Sequence, residues 1–185
     1  MYVIIFIKIK LKFPPNNEVF SQKGGWLLFK IGDKVVYPMH GAGVIEAIEE
    51  KEVLGERNKY YILRLPVGDM KVMVPIMTSR EAGLREVVGK DEIKKVFWIL
   101  KGTSTAMSAN WNRRYRANLE KIKSGDIFEV AEVVRNLIRR EKEKALSSGE
   151  KKMLENARQI LISELALAIE LEEEKTKFLI DSALA

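Results

Sequence analysis

The chain has 185 residues, and its hydrophobic content of 46% is typical of a folded globular protein rather than a disordered one. The absence of cysteine excludes disulfides, thiolate metal sites and cysteine nucleophiles, and a single histidine, His40, leaves little room for other metal or triad chemistry. The net charge is +6, and its excess lies in residues 94–158, where 16 basic and 8 acidic residues favour a polyanionic partner.

Residues 1–28 differ in composition from the rest of the chain. The apolar run Met1–Ile7 is shorter than the roughly 18 residues of a membrane helix, and lysines follow it rather than precede it as in a secretory signal. We therefore expect a cytoplasmic protein without a membrane partner. Lys23-Gly24-Gly25 resembles a translated ribosome-binding sequence, so this extension is either the product of a misassigned start codon or, because Ile7–Phe13 alternates apolar residues with lysines, an N-terminal strand.

A small all-β module is predicted for residues 29–80, where β-branched and aromatic residues alternate at period two. On one strand, Tyr60 and Ile62 should face away from Tyr61, Leu63 and Leu65. Strands this short would leave unprotected edges in an open sheet, so we expect them to curl into a Tudor-like or SH3-like barrel. The predicted strands and turns are Val35–Tyr37 ending at Pro38, a flexible turn at Gly41–Gly43, Val44–Glu52, a turn at Leu54–Asn58, Lys59–Leu65, and a hairpin at Pro66–Asp69 that leads into Met70–Val74.

An all-α bundle of four or five helices is predicted for residues 81–185, because the apolar period changes to 3.6 and no further strand signal follows. The whole chain is thus predicted to be α+β. In the third helix, an apolar stripe that includes Val130 and Val134 should face the core and leave Arg135, Arg139 and Arg140 on other faces. Capping residues and glycines predict helices from Asp91 to Leu100 before Gly102, from Ser108 to Lys123, from Ile127 to about Leu146 after Asp126 and Glu129, from Ser147 and Glu150 to about Leu171, and from Glu173 to Leu184.

No sequence motif of an enzyme is present. Gly41-Ala42-Gly43 has Glu46 where a dinucleotide-binding fingerprint needs its third glycine, and no phosphate-binding loop, nucleophile elbow or zinc-protease motif occurs. His40 has no partner histidine and is predicted to be a loop residue hydrogen-bonded to the backbone. We therefore expect a protein without catalytic activity, cofactor, metal or small-molecule substrate.

The segment Asn110–Arg116 places two aromatic residues among three arginines near the start of a predicted helix. Helical spacing puts Trp111, Arg114 and Tyr115 on one face, where the tryptophan is either a core residue or an exposed one. The polar residues around this tryptophan favour exposure. An exposed indole among guanidinium groups suits DNA, because the cations neutralise phosphates and the ring can wedge into an opened base step.

Three blocks of the sequence resemble the CarD/CdnL family of bacterial transcription regulators: FKIGDKVVYPMHGAG at residues 29–43, NWNRRYRANLEKIKSGD at 110–126 and SSGEKKMLENARQILISELALA at 147–168. The resemblance extends from Phe29 to Ala185. It implies a Tudor-like domain that binds the RNA polymerase β subunit and a helical domain that contacts promoter DNA near the −10 element, at the upstream edge of the bubble. Such a protein would associate with the nucleoid through polymerase and stabilise the promoter open complex.

The resemblance also implies site residues. Trp111 corresponds to the wedge tryptophan of the family, and Arg114 and Arg116 fall among its DNA-contacting positions. Met73 stands where several relatives have arginine, a departure that concerns the polymerase contact. We expect DNA contacts from Trp111, Arg113, Arg114, Arg116, Lys151, Lys152 and Arg158, and polymerase contacts from Lys51, Arg64 and Met73.

The alternative to a regulator that contacts the bubble is a binding module of another class. In that case an SH3-like module holds polymerase or RNA, in translation or in transcription–repair coupling, without touching the bubble. The alternative predicts a buried Trp111, whose truncation would destabilise the bundle by roughly several kcal/mol.

Overall fold

The strands precede the helices along the chain. A computed structural model describes residues 29–53, 55–66 and 70–185, so the predictions for residues 1–28 and for the hairpin tip at 67–69 lie outside the described residues. The described part has the predicted α+β fold, with a five-stranded antiparallel sheet followed by five helices. None of the helices in these ranges combines the length and the apolar character that spanning a membrane requires.

The sheet consists of β1 (Lys34–Tyr37), β2 (Gly41–Val53), β3 (Glu56–Leu65), β4 (Met70–Pro75) and β5 (Arg85–Glu86), with a 3-10 turn at Ile76–Thr78. Its strand order is β4-β3-β2-β1-β5, so β4 and β5 form the two edges. Side chains alternate as predicted: Tyr61 and Leu63 enter the main core of the sheet, whereas Tyr60 and Ile62 pack with Met73 on the other face.

The predicted turn at Gly41–Gly43 is wrong, because these residues begin β2 and pair with β1. The chain reverses at Pro38–His40 instead, where Met39 has a φ of 68°. Gly43 serves close packing rather than flexibility, since a Cβ atom there would lie 2.4 Å from the carbonyl oxygen of Arg64.

Three further outcomes concern the ends of the strands. His40 lies in a turn, as predicted, and its backbone N–H donates to the Tyr37 carbonyl at 3.0 Å. The predicted turn at Leu54–Asn58 is too long, because β3 already begins at Glu56. The prediction that no strand follows Glu81 is also wrong, since β5 pairs with β1. Two residues are too few to show a period of two, so the sequence pattern carries no signal for β5.

The helices are α1 (Lys90–Lys101), α2 (Trp111–Lys123), α3 (Ile127–Glu143), α4 (Ser148–Ile169) and α5 (Glu173–Leu184). Gly102 ends α1, and Ser147 forms a capping box with Glu150 at α4, as predicted. Asp126 caps α3 as predicted, but Glu129 does not complete a capping box with it, because its carboxylate accepts from the Ser124 hydroxyl instead. The predicted caps of α1 and α2 are wrong. Gly89 precedes α1 instead of Asp91, and Asn110 caps α2 by accepting a hydrogen bond from the Arg113 N–H.

The bundle core confirms most of the apolar stripe predicted for α3, but Arg135 is not on the surface. It is buried, and its guanidinium donates to the Ile99 carbonyl at 3.0 Å and to the Asn136 side chain at 2.9 Å. Arg135 therefore satisfies one carbonyl group, that of Ile99, at the C-terminal end of α1. This capping of the helix end explains why Arg135 is buried at a position where amphipathic spacing predicts a solvent-exposed side chain.

The sheet packs directly on α4. Arg85 of β5 forms a bidentate ion pair with Glu164, with oxygen–nitrogen distances of 2.6 and 2.8 Å, and also donates to the Gly125 carbonyl. The Ala42 N–H of β2 donates to the Ser163 hydroxyl at 3.0 Å. The carboxylate of this pair is removed from water, since Glu164 is only 1% exposed, whereas the Arg85 side chain is partly accessible. These polar contacts hold the sheet in one orientation on the bundle.

Candidate nucleic-acid interface

Trp111 occupies the first position of α2, directly after the capping residue Asn110. Its side chain is 43% exposed, so the ring is accessible to solvent and is not enclosed by the bundle. The covered part stacks on Tyr115, with ring centroids 5.2 Å apart. This exposure agrees with the expectation from the polar neighbourhood and disagrees with the buried tryptophan that the alternative function predicts.

The first turn of α4 lies against this aromatic pair. A Cβ atom on Gly149 would come within 3.4 Å of the Tyr115 ring and 3.6 Å of the Trp111 ring, which shows how closely the α4 backbone approaches both. The indole N–H of Trp111 donates to the hydroxyl of Ser147, the capping residue of α4, at 2.9 Å. The positive ends of two helix dipoles therefore meet beside one exposed aromatic ring.

Arg114 lies beneath the aromatic pair rather than on the surface. It is 3% exposed, and its Nε donates to Glu150 Oε1 at 2.7 Å, while Nη1 donates to the carbonyls of Ser108 and Ala109. This burial does not fit the expected DNA contact of Arg114, because the side chain is covered and both Nε and Nη1 donate inside the protein. Its physical role is to join the start of α2 to the first turn of α4.

The glutamate of this pair is 2% exposed. Burial raises the pKa of Glu150, but hydrogen bonds from Arg114 and from the Ser147 N–H and hydroxyl together lower it by more than burial raises it. The pKa therefore lies below its usual value. Glu150 is therefore ionised at neutral pH. The charge of the buried arginine is thereby compensated within the protein.

Four of the expected DNA contacts are exposed cations on the two helices whose first turns meet at Trp111. Arg113 and Arg116 are exposed on α2, and Lys151 and Lys152 are exposed on the first turn of α4. Arg158, further along α4, is partly covered and forms an ion pair with Asp181 of α5. We call the set formed by Trp111, Arg113, Arg116, Lys151 and Lys152 the α2–α4 surface.

The expected polymerase contacts lie on three neighbouring strands of the sheet, β2, β3 and β4. Lys51 on β2 is paired with Glu49 at 2.9 Å, and Arg64 on β3 is exposed, opposite Lys71 on β4. Met73 on β4 is buried against Tyr60 and Ile62, so its side chain does not fit the expected role of a surface contact. The backbone of β4 can also meet a partner, because this strand is at the edge of the sheet that the described residues form.

Sequence reasoning missed Ser147 and Glu150 as members of this site. Both were recognised only as the capping box of α4, since a capping box is a local pattern and their contacts with Trp111 and Arg114 span 36 residues. The sequence feature that could have indicated their role is that this capping box lies within residues 147–168, the third block that resembles the family. Across residues 29–53, 55–66 and 70–185, no cluster of three or more metal-binding side chains occurs.

Two protein-family models match the chain. The model described as CarD, C-terminal domain, matches residues 95–181, and the model described as CarD-like/TRCF RID domain matches residues 29–88. A protein of Bacillus subtilis (strain 168) named "Putative transcription factor YdeB" is 46% identical over 150 residues, which cover 81% of this chain and 98% of that protein. The two matched stretches include both the sheet and most of the bundle.

Proposed function

Because the chain belongs to the CarD-like family of transcription regulators, we propose that it binds RNA polymerase through its β-sheet module and uses the α2–α4 surface to stabilise promoter open complexes. The family and the name of the relative indicate a transcription factor rather than an enzyme. The polymerase partner is the β subunit, and the DNA partner is the upstream edge of the bubble near the −10 element. Both finer assignments come from the family resemblance and are part of the proposal.

The observation that carries the proposal is the partly exposed, firmly held ring of Trp111. A ring that is already ordered loses little further conformational freedom when it meets DNA. Inserting it into an intact duplex costs on the order of a few kcal/mol of unstacking, a cost that is smaller where polymerase has already opened the strands. The wedge therefore acts selectively at the edge of a bubble.

The exposed cations of the α2–α4 surface supply the complementary phosphate contacts. Arg113, Arg116, Lys151 and Lys152 carry little information about base sequence, because phosphate contacts position a protein without specifying bases. Four such contacts give weak, salt-sensitive affinity for DNA alone. Attachment to polymerase raises the effective concentration of this surface at the promoter, so specificity comes from polymerase and from the deformability of the DNA.

The polymerase contact uses the edge of the sheet. Within the described ranges the backbone of β4 has one paired neighbour, β3, and we expect its other side to accept pairing from a strand of another protein. Backbone pairing tolerates a buried methionine at position 73, since the bonds involve main-chain groups rather than the side chain. Lys51 and Arg64 supply positive charge on neighbouring strands.

The test compares two exposed tryptophans. Trp98 of α1 is 73% exposed, which makes Trp98→Ala a control of identical chemistry on a different helix from Trp111→Ala. Open-complex lifetimes are measured by competitor challenge with saturating wild-type protein or either variant. We expect wild type and Trp98→Ala to prolong the lifetime equally, and Trp111→Ala to lose about fivefold or more of that effect.

Binding of each variant to polymerase is measured in parallel, together with its free energy of unfolding. We expect Trp111→Ala to bind polymerase normally and to unfold about 1–2 kcal/mol more easily, because the ring is only partly buried. An unchanged lifetime with Trp111→Ala contradicts the proposal. A loss of several kcal/mol in stability without a change in lifetime favours the alternative binding module.

A further inference from the structure

Three contacts determine where the Trp111 indole points. The ring stacks on Tyr115 at 5.2 Å, lies against the backbone at Gly149, and donates its N–H to Ser147 Oγ at 2.9 Å. Stacking alone allows the ring to slide and turn in its own plane. The hydrogen bond removes that freedom, because it fixes one edge of the ring to a single oxygen atom.

The hydroxyl of Ser147 is fully used by its neighbours. It donates to Glu150 Oε2 at 2.9 Å, and it accepts from the Glu150 N–H at 3.2 Å and from the Trp111 indole N–H at 2.9 Å. A hydroxyl has one hydrogen and two lone pairs, so this arrangement satisfies it completely. Because Glu150 fixes the hydrogen, the lone pairs have one orientation only. The acceptor for Trp111 is therefore directional.

The carboxylate that orients this hydroxyl is itself anchored. Glu150 Oε1 accepts from Arg114 Nε at 2.7 Å, and Arg114 is bound to the carbonyls that precede α2. The chain of bonds runs from the loop before α2 through Arg114, Glu150 and Ser147 to the indole. It begins just before α2, passes through the first turn of α4, and ends at Trp111 in the first turn of α2.

We infer that Ser147 and Glu150 are positioning residues that hold the Trp111 ring in the orientation in which it meets opened DNA. The inference rests on the proposed function of Trp111, because it assigns the residues that prepare that ring. Neither residue needs to touch DNA. They order the ring before it contacts the bubble, so that less conformational entropy is lost on contact.

The test removes the hydroxyl and compares the loss with an equivalent loss elsewhere. Ser147→Ala deletes both the cap of α4 and the acceptor for Trp111, whereas Asp126→Ala deletes only the cap of α3, whose carboxylate accepts from the Phe128 N–H. The two variants should lose similar stability, since each removes one helix cap. Ser147→Thr keeps a hydroxyl at the same position and serves as the conservative variant.

We expect Ser147→Ala to lower the open-complex lifetime about two- to tenfold, a range that corresponds to one lost hydrogen bond. Ser147→Thr should restore the lifetime, and Asp126→Ala should leave it at the wild-type value. A lifetime of Ser147→Ala equal to wild type, in an assay where Trp111→Ala is defective, overturns the inference and leaves the proposed function standing. Equal losses in Ser147→Ala and Asp126→Ala overturn it as well, because helix stability then accounts for the effect.

A second readout follows the indole directly. Nitrogen-15 spectra contain one indole N–H signal for each of the 3 tryptophans, and the Trp111→Phe variant identifies the signal of Trp111. Hydrogen exchange of this N–H should be about two- to tenfold faster in Ser147→Ala, and should return to the wild-type rate in Ser147→Thr. An exchange rate that does not respond to Ser147→Ala overturns the inference, because the hydrogen bond would then not hold the ring.

Discussion

Near each end of α4 a buried glutamate forms an ion pair with an arginine from another element, and the two ion pairs stabilise different parts of the molecule. Near the N-terminus of α4, Glu150 pairs with Arg114 of α2 beneath an exposed tryptophan. About 21 Å further along the helix, Glu164 pairs with Arg85 of β5 and holds the sheet. One rigid helix therefore connects the module proposed to bind polymerase with the surface proposed to bind DNA.

The two carboxylates have pKa values shifted in opposite directions. Burial raises the pKa of both, but at Glu150 the bonds from Arg114 and Ser147 outweigh it and the pKa falls below its usual value. At Glu164 burial outweighs the bonds from Arg85 and Val88, and the pKa is raised. Each carboxylate accepts three hydrogen bonds, so the difference teaches that the extent of desolvation, rather than the number of donors, decides the direction of the pKa shift.

The largest expected effect comes from breaking the pair at the N-terminal end. Arg114→Leu removes the main partner of the buried Glu150, so the free energy of unfolding should fall by about 3–5 kcal/mol. Arg113→Leu, at the adjacent exposed position, should change it by less than about 0.5 kcal/mol. Urea unfolding of both variants measures the contrast, and equal effects would show that Arg114 is not a structural residue.

Breaking the pair at the other end should cost less. Arg85 has a side chain that is 31% exposed, and Glu164 can take up a proton when it loses its partner because its pKa is already raised. We expect Arg85→Ala to lower the free energy of unfolding by about 2–3 kcal/mol. It should also shorten open-complex lifetimes, since the sheet and the α2–α4 surface would no longer move together. A stability unchanged within about 0.5 kcal/mol would contradict this account of the sheet–helix contact.

The contributions of Glu150 and Glu164 to the free energy of unfolding should change in opposite directions with pH. Glu150 has a lowered pKa in the folded state, so its contribution is present above 4.5, the usual glutamate value, and is lost as the pH falls through the lowered value. Glu164 has a raised pKa, so its contribution is present below 4.5 and is lost as the pH rises through the raised value.

Two glutamine variants reveal these signs in urea unfolding between about pH 7 and about pH 3. On acidification, wild type should lose stability relative to Glu150→Gln and gain stability relative to Glu164→Gln. Both differences changing in the same direction would contradict the assigned pKa shifts.

The smallest effects on stability belong to the exposed lysines at the start of α4. Lys151→Ala and Lys152→Ala should each change the free energy of unfolding by less than about 0.5 kcal/mol, because both side chains are in solvent. Each should nevertheless reduce the salt dependence of the open-complex lifetime by nearly one counterion. Lifetimes measured over a series of salt concentrations test this, and an unaltered slope in the double variant would remove these lysines from the α2–α4 surface.

Features encoded by neighbouring residues could be predicted from the sequence. The stops and caps at Gly102, Asp126 and Ser147 lie within a few residues of the helices that they delimit. The two faces of β3 followed from alternation, and the exposure of Trp111 followed from its polar surroundings. Each of these rests on local physical chemistry.

Features that depend on partners distant in the sequence could not be predicted from the sequence. Arg114 has the same charge and helical setting as the exposed Arg113 and Arg116. Both Arg114 and Arg135 have a partner 36 residues away, Glu150 and the Ile99 carbonyl respectively. Gly43 was interpreted as a flexible residue because nothing local shows the strand that passes close to it. The link between Ser147 and Trp111 also required the packing of α2 on α4.

Because the sequence contains no cysteine, a single introduced thiol can report directly on whether the α2–α4 surface meets DNA. Asn112→Cys, next to Trp111 and exposed, would carry an iron chelate that cleaves nearby DNA, and Lys177→Cys on α5 would serve as the control. In open complexes we expect cleavage centred on the upstream edge of the bubble from position 112, and none from position 177. No cleavage from position 112, or cleavage equal from both positions, would contradict the account.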